Sequence, residues 1–292
     1  MGDKAAGSGE HVHDDVDWAA HAAALAGWDE LEAGRNRAIV DWLAVRPGET
    51  VVDVGSGARG MAAAMLDAVG SAGTAVIVDG ARELLTVARR RVERPGHRVV
   101  AVHADLERQP LRDVLEQRPV DLVHAGAVVH HVDDEVAAIG DLAAVVRPGG
   151  RVAVGEGGLG HRFLPADCGI GEPGLEQRLA TAQEAWFWDH IRPAEATVRT
   201  GRGWNLLLAD AGLVDVAARS FLLDLPPPLD EPTRQVVRMT IAGQLARVAD
   251  RLNDDDQTAL ARLLDDDDPQ GVMRRHGIYV LSARTVHVGT VP

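Results

Sequence analysis

The stretch Val51-Val52-Asp53-Val54-Gly55-Ser56-Gly57-Ala58-Arg59-Gly60 joins an apolar strand carrying one acid to a glycine-rich turn. Gly55, Gly57 and Gly60 satisfy G-x-G-x-x-G, the spacing that lets a ligand lie against backbone N–H groups at the start of a helix. The acid at Asp53, two residues before the first glycine, sorts ligands by charge. It repels a pyrophosphate and attracts an ammonium or a sulfonium. Two further acids follow expected strands. Asp79, with Gly80 after it, stands 22 residues past Gly57, the distance at which a carboxylate reaches a ribose hydroxyl. Asp105 follows the third strand, with Leu106 beside it. The carboxyl ends of successive strands are the ligand edge of an open α/β sheet.

With Asp53 included, the turn resembles the first motif of the class I S-adenosylmethionine-dependent methyltransferases, acid-x-G-x-G-x-G. It departs where Arg59 stands in place of the third glycine and Gly60 follows. The resemblance extends from Arg35 to Val154 and, in outline, over the tail from Leu206. It implies S-adenosylmethionine as cofactor, held by Asp53, Gly55, Ser56, Gly57, Asp79, Gly80, Asp105, Leu106 and Ala125. Asp105 would accept a hydrogen bond from the adenine amino group, and Leu106 would lie against the adenine face. Trp28, Arg35 and Asn36 would cover the methionine end, with Arg35 a partner for its carboxylate. Enzymes that methylate exocyclic amines of bases or glutamine amides carry Asn-Pro-Pro-Tyr or Asp-Pro-Pro-Tyr. This chain has Ala125-Gly126-Ala127-Val128 there, which lowers those substrates.

Histidines and carboxylates at the same edge supply candidates for acid–base work. His130 and His131 follow the fourth strand, and histidine takes a proton near neutral pH without large tuning. His131 is the candidate base, since Val132 and Asp133 read as the start of the next helix. Glu156, ending the fifth strand, and His161, in the segment after it, are further candidates for base or substrate hydrogen bonding. Trp186-Phe187-Trp188-Asp189-His190 concentrates aromatic surface suited to flat or cationic ligands. His130, Trp186, Trp188 and His190 are the expected acceptor contacts. Alternate positions on a helix do not share a face, so at least one indole is expected in the core. The expected activity is methyl transfer to a small organic acceptor, preferably aromatic or heteroaromatic, in specialised metabolism. Two other readings stand beside it. An NAD(P)-dependent oxidoreductase fits the literal G-x-G-x-x-G, but Asp53 opposes it, and so does the lack of a Tyr-x-x-x-Lys pair in a chain whose only lysine is Lys4. The other is a cofactor-binding protein without turnover.

The elements that must position these residues alternate. Strands are expected at Thr50–Val54, Thr74–Val78, Arg98–Val102, Val120–Ala125 and Arg151–Val154, with helices between them. Arg147-Pro148-Gly149-Gly150 reads as a breaker and Gly155–Gly174 as a long loop. The fold class is α/β: a doubly wound, mostly parallel seven-stranded sheet with helices on both faces, its last strand antiparallel beside the fifth, plus helical cap insertions. Residues 1–34 are expected to form an arm and cap helices. Residues 35–292 are expected to form the main domain, with insertions at about 157–200 and 230–275.

Of 292 residues 46% are hydrophobic, enough for a sizeable core, and the formal net charge of −14 opposes a nucleic-acid partner. No run of apolar residues suggests a membrane span. Cys168 is the only cysteine, which excludes an intrachain disulfide and a cysteine-only metal site. His11-x-His13 with Asp14 and Asp15 would bind a metal only adventitiously, so no metal is expected. Met1–Glu10 lacks an apolar signal core, and a cytoplasmic location is expected. The partner expected is the small-molecule acceptor, and oligomeric state is not legible.

Overall fold

The computed structural model describes residues 18–57, 60–106, 109–116, 119–193 and 197–292. The strands β1 (Thr50–Val54), β2 (Thr74–Asp79), β3 (Arg98–His103), β4 (Val120–Gly126), β5 (Val146–Arg162), β6 (Val214–Leu225) and β7 (Val280–Thr290) form one sheet, in the order β3-β2-β1-β4-β5-β7-β6. Strands β1 to β5 pair in parallel, and β7 lies antiparallel between β5 and the edge strand β6. β1 and β2 read Thr-Val-Val-Asp-Val and Thr-Ala-Val-Ile-Val-Asp, β-branched runs suited to a pleat buried on both faces.

Side chains of a strand alternate between faces, and the two faces carry different helices. Val52 and Val54 join a core with α4 (Leu111–Val114), α5 (Glu135–Ala143) and α7 (Trp204–Asp210). Val51, Ala75, Ile77 and Leu122 join a second core with α1 (Trp18–Trp42), α2 (Met61–Val69) and α3 (Arg82–Val92). A third core belongs to a cap. Phe163, Leu164 and Ile170 after β5 pack with α6 (Leu175–His190), α8 (Glu231–Val248) and α9 (Asp254–Leu264), and Trp28 of α1 reaches into it. Arg178 of α6 grips Asp256 of α9 through two parallel bonds of 2.8 and 2.7 Å. Cys168 is buried here.

Three expectations change. The segment after Val154 is strand as far as Arg162, because it stays paired with β7 through Gly158↔Arg284, Leu159↔Ala283 and Arg162↔Leu281. The glycines that suggested a loop make the bulge. Gly158 has φ +109°, and a Cβ there would stand 2.2 Å from the Ala283 carbonyl oxygen. The Pro-Gly-Gly breaker likewise lies inside the first turnings of β5. The boundary at 34/35 falls in the middle of α1, a single helix that serves both the main layer and the cap. His11, His13, Asp14, Asp15 and the segment Met1–Glu10 lie outside the described residues. No described helix is long and apolar enough to cross a membrane.

Candidate functional site

The glycine turn leaves β1 with Gly55 at φ +60° and Gly57 at φ +52°, a left-handed backbone that costs an L-residue about 1–2 kcal/mol. Gly55 has a second constraint, since a Cβ there would meet Val128 Cγ2 at 2.1 Å. Asp79 ties the turn to β2. Its Oδ2 accepts the Gly57 N–H at 2.8 Å and its Oδ1 the Ala81 N–H at 2.9 Å. Burial pushes the Asp79 carboxyl above the usual Asp range, against the two backbone donors that pull it down. Gly80 packs on Asp105, which lies 3.8 Å from a Gly80 Cβ position, so the ends of β2 and β3 meet. Leu106 beside it is half-buried against the α4–α5 core.

Two residues grouped with these in sequence sit elsewhere. Ala125 is wholly buried, with its methyl in the α4–α5 core. Ala127, at φ +56°, is the residue of that strand end which reaches the open edge. Asp53 is 3% exposed and accepts a 2.8 Å hydrogen bond from His124 Nδ1. The pleat is the cause: Asp53 shares the parity of Val51, and His124 is its register partner on β4. Among the described residues, three buried polar groups around the turn have no hydrogen-bond partner: the Ser56 hydroxyl, the Asn36 side-chain amide and His124 Nε2. The Asn36 amide nitrogen stands 3.6 Å from a Gly60 Cβ position. Buried polar groups in native proteins are nearly always satisfied, so donors and acceptors left open at one turn fit a polar ligand. A nucleoside carrying an amino acid meets that description.

Beside the turn, the ends of β4, β5 and β7 floor a cavity of about 430 Å³. Glu156 is 3% exposed and accepts the N–H groups of Val128 and Val129, each at 2.9 Å. Its other oxygen lies 2.6 Å from His130 Nδ1. A carboxylate only accepts, so Nδ1 carries a proton, and a neutral His130 in that tautomer has its lone pair on Nε2. His130 lines the cavity, whereas His131 lies behind it with its ring tilted, centroids 4.1 Å apart, and Phe187 packs against both. His161 also lines the cavity, its ring tilted against Trp28 with centroids 4.2 Å apart. Glu156 is thus engaged on both oxygens, as the orienter of His130.

The helix period selects which aromatic residues of α6 line the cavity. Glu184, Phe187 and Trp188, at i, i+3 and i+4, share one face and do so. Trp186 lies against the cap core with Arg247 5.0 Å over its ring. His190 folds back on the same helix, bonding the Trp186 carbonyl at 2.9 Å. Trp186 and His190 are therefore replaced as lining residues by Phe187.

Sequence reasoning passed over His124 and Arg284. His124 sits in an apolar strand and reads as core. Arg284 gains meaning only from Glu32 of α1, whose two oxygens take Arg35 at 2.5 Å and Arg284 at 3.3 Å. Arg35 also donates to Ser282 of β7 at 3.2 Å, so it faces the cavity floor. Among the described residues no cluster of His, Cys, Asp or Glu is suited to a metal ion.

Residues 51–150 match the family described as "Methyltransferase domain". Over 110 residues the chain is 30% identical to the ubiquinone/menaquinone biosynthesis C-methyltransferase UbiE of Cupriavidus metallidurans, covering 38% of this chain and 44% of that protein. Over 118 residues it is 32% identical to an uncharacterized 37.1 kDa protein of transposon Tn4556 from Streptomyces fradiae, covering 40% and 33%. The chain spans less than half the length of these curated relatives. Its fold is similar to that of a cyclopropane-fatty-acyl-phospholipid synthase-like protein from Lactobacillus casei, with TM-score 0.52, 17% identity, and 89% and 91% of the two chains covered.

Proposed function

We propose, on the premise that residues 51–150 are a class I S-adenosylmethionine-dependent methyltransferase domain, that the protein transfers a methyl group to a small organic acceptor seated in the cavity. The observation that carries this reading is adjacency. The glycine turn, with its open polar groups, and the cavity floored by His130 and Glu156 touch through Val128, which packs on Gly55 and donates to Glu156. When bound, S-adenosylmethionine supplies an electrophilic methyl on a sulfonium. The chain's own contribution is then alignment and proton management. Asp79, Asp105 and the glycine turn hold the nucleoside, and Ser56 and Asn36 gain partners they lack. His130, its tautomer set by Glu156, takes a proton through Nε2 if the acceptor must lose one. Phe187, Trp188 and Trp204 offer ring faces to the acceptor, which supports an aromatic or heteroaromatic one. Phe187 and Trp188, on the cap helix α6, screen that side of the acceptor from water, which strengthens the electrostatics there.

Calorimetric titration with S-adenosylhomocysteine, NADH and NADPH tests the reading. One-site binding of S-adenosylhomocysteine in the low-micromolar range, about 8 kcal/mol, is expected, with no saturable binding of the nicotinamide cofactors. The reverse pattern would overturn it. His130→Ala is expected to slow single-turnover methyl transfer about 100-fold with cofactor affinity kept. The same loss from His131→Ala, with none from His130→Ala, would return the role to His131.

A further inference from the structure

Asp53 and His124 form a buried pair between the glycine turn and the cavity. They are register partners on β1 and β4, 3% and 2% exposed, on the face covered by α1. Because the Asp53 carboxylate accepts at 2.8 Å, Nδ1 carries a proton, and a neutral imidazole in that tautomer presents its lone pair at Nε2. That Nε2 is buried and has no hydrogen-bond partner among the described residues. The residues next to it are glycines. A Cβ on Gly126 or on Gly155 would stand 3.4 Å from Nε2, so two methyl groups are absent beside the nitrogen, and Gly155 lines the cavity. In the tautomer that carries its only proton on Nδ1, the imidazole ends in a hydrogen-bond acceptor with the Asp53 carboxyl group behind it. Such an end suits a cation that donates. The neighbouring cation, Arg284, has its Cδ 3.7 Å from the Gly155 Cβ position and gives its guanidinium to Glu32.

We propose that His124 Nε2 accepts a hydrogen bond from a primary ammonium of a bound ligand, with Asp53 holding the tautomer and supplying the charge. The proposal rests on the functional reading above. It makes His124 a binding residue that the hydropathy of β4 conceals. Two ligands of that reading carry such a group, the α-ammonium of the cofactor and the amine of an aminated acceptor, and the experiment separates them.

His124→Asn keeps an N–H for Asp53 and removes the Nε2 lone pair. Its affinities for S-adenosylhomocysteine and for 5′-methylthioadenosine, which lacks the amino acid, are measured by calorimetry beside the parent chain. At least tenfold weaker S-adenosylhomocysteine binding with methylthioadenosine changed less than twofold assigns the contact to the cofactor. Unchanged S-adenosylhomocysteine binding, with loss of the thermal stabilisation that 2-phenylethylamine gives the S-adenosylhomocysteine-saturated parent, assigns it to the acceptor. Equal weakening of both adenosyl ligands, or no change in any of the three, overturns the proposal. Should His124→Asn not fold, Gly155→Ala places a methyl beside Nε2 at a position without positive φ. The same selective loss is expected there, and its absence overturns the proposal. A parent chain that binds no S-adenosylhomocysteine overturns the functional reading itself, an outcome distinct from all of these.

Discussion

Gly55→Ala would test whether the cofactor turn and the acceptor floor are one mechanical unit. The substitution meets two obstacles. The backbone at φ +60° costs alanine about 1–2 kcal/mol. The new methyl, built 2.1 Å from Val128 Cγ2, adds an overpacking cost of about 1–3 kcal/mol. A destabilisation of roughly 2–5 kcal/mol follows from adding those terms. Val128→Ala alone removes two half-buried methyl groups, worth about 1 kcal/mol. In the double variant the steric term disappears while the backbone term stays. The pair should therefore be about 1–3 kcal/mol more stable than the sum of the single effects. Urea unfolding followed by tryptophan fluorescence measures all four corners of the cycle. Strict additivity would refute the contact. A cycle that couples in stability while Gly55→Ala leaves single-turnover chemistry unchanged would refute the idea that the turn positions Val128, Glu156 and His130.

Asp79 titrates above the ordinary Asp range because it is buried, so protonation removes its charge at a pH where a solvated carboxylate would keep it. S-adenosylhomocysteine affinity is expected to fall as pH drops through that raised range. Asp79→Asn should bind about 10-fold or more weakly above it, with the pH dependence flattened, as calorimetry at several pH values would record. Trp188, 45% exposed on the cavity rim, should lose acceptor binding on change to Ala with a small change in melting temperature. Trp186→Ala should instead cost about 2–3 kcal/mol of stability, since that indole packs on the cap core. Equal melting shifts for the two would contradict the helix-face assignment. The hydrogen bonds from Arg178 hold the Asp256 carboxyl below the usual Asp range. The pair therefore contributes stability above the unfolded Asp value near 4, and that contribution is lost as pH falls through the lowered folded value. Asp256→Asn should be about 1–2 kcal/mol less stable at neutral pH, with the gap closing in acid. A gap independent of pH in chemical denaturation would remove the ion pair as its cause.

Much of this protein is written locally. The valine-rich runs of β1 and β2, the paired glycines at 55 and 57, and the acid ending β2 each lie within a few consecutive residues. Backbone preference and runs of β-branched residues act over that range, which is why the succession of strands and the place of the glycine turn were legible. Other features depend on residues far apart in the chain. Gly155 to Arg162 carries the composition of a loop, and only β7, arriving more than a hundred residues later, makes it strand. Glu156 reads as a free carboxylate until the turn after β4 brings two N–H groups and His130 onto it. The phase of α6 decides that Phe187 and Trp188 line the cavity while Trp186 enters the core. Asp53 is the sharpest case. Its identity and its distance from the glycines are sequence facts, but its partner is 71 residues away. Strand register and pleat parity are set when β1 and β4 pair, and neither strand alone encodes which of its side chains will meet across the sheet.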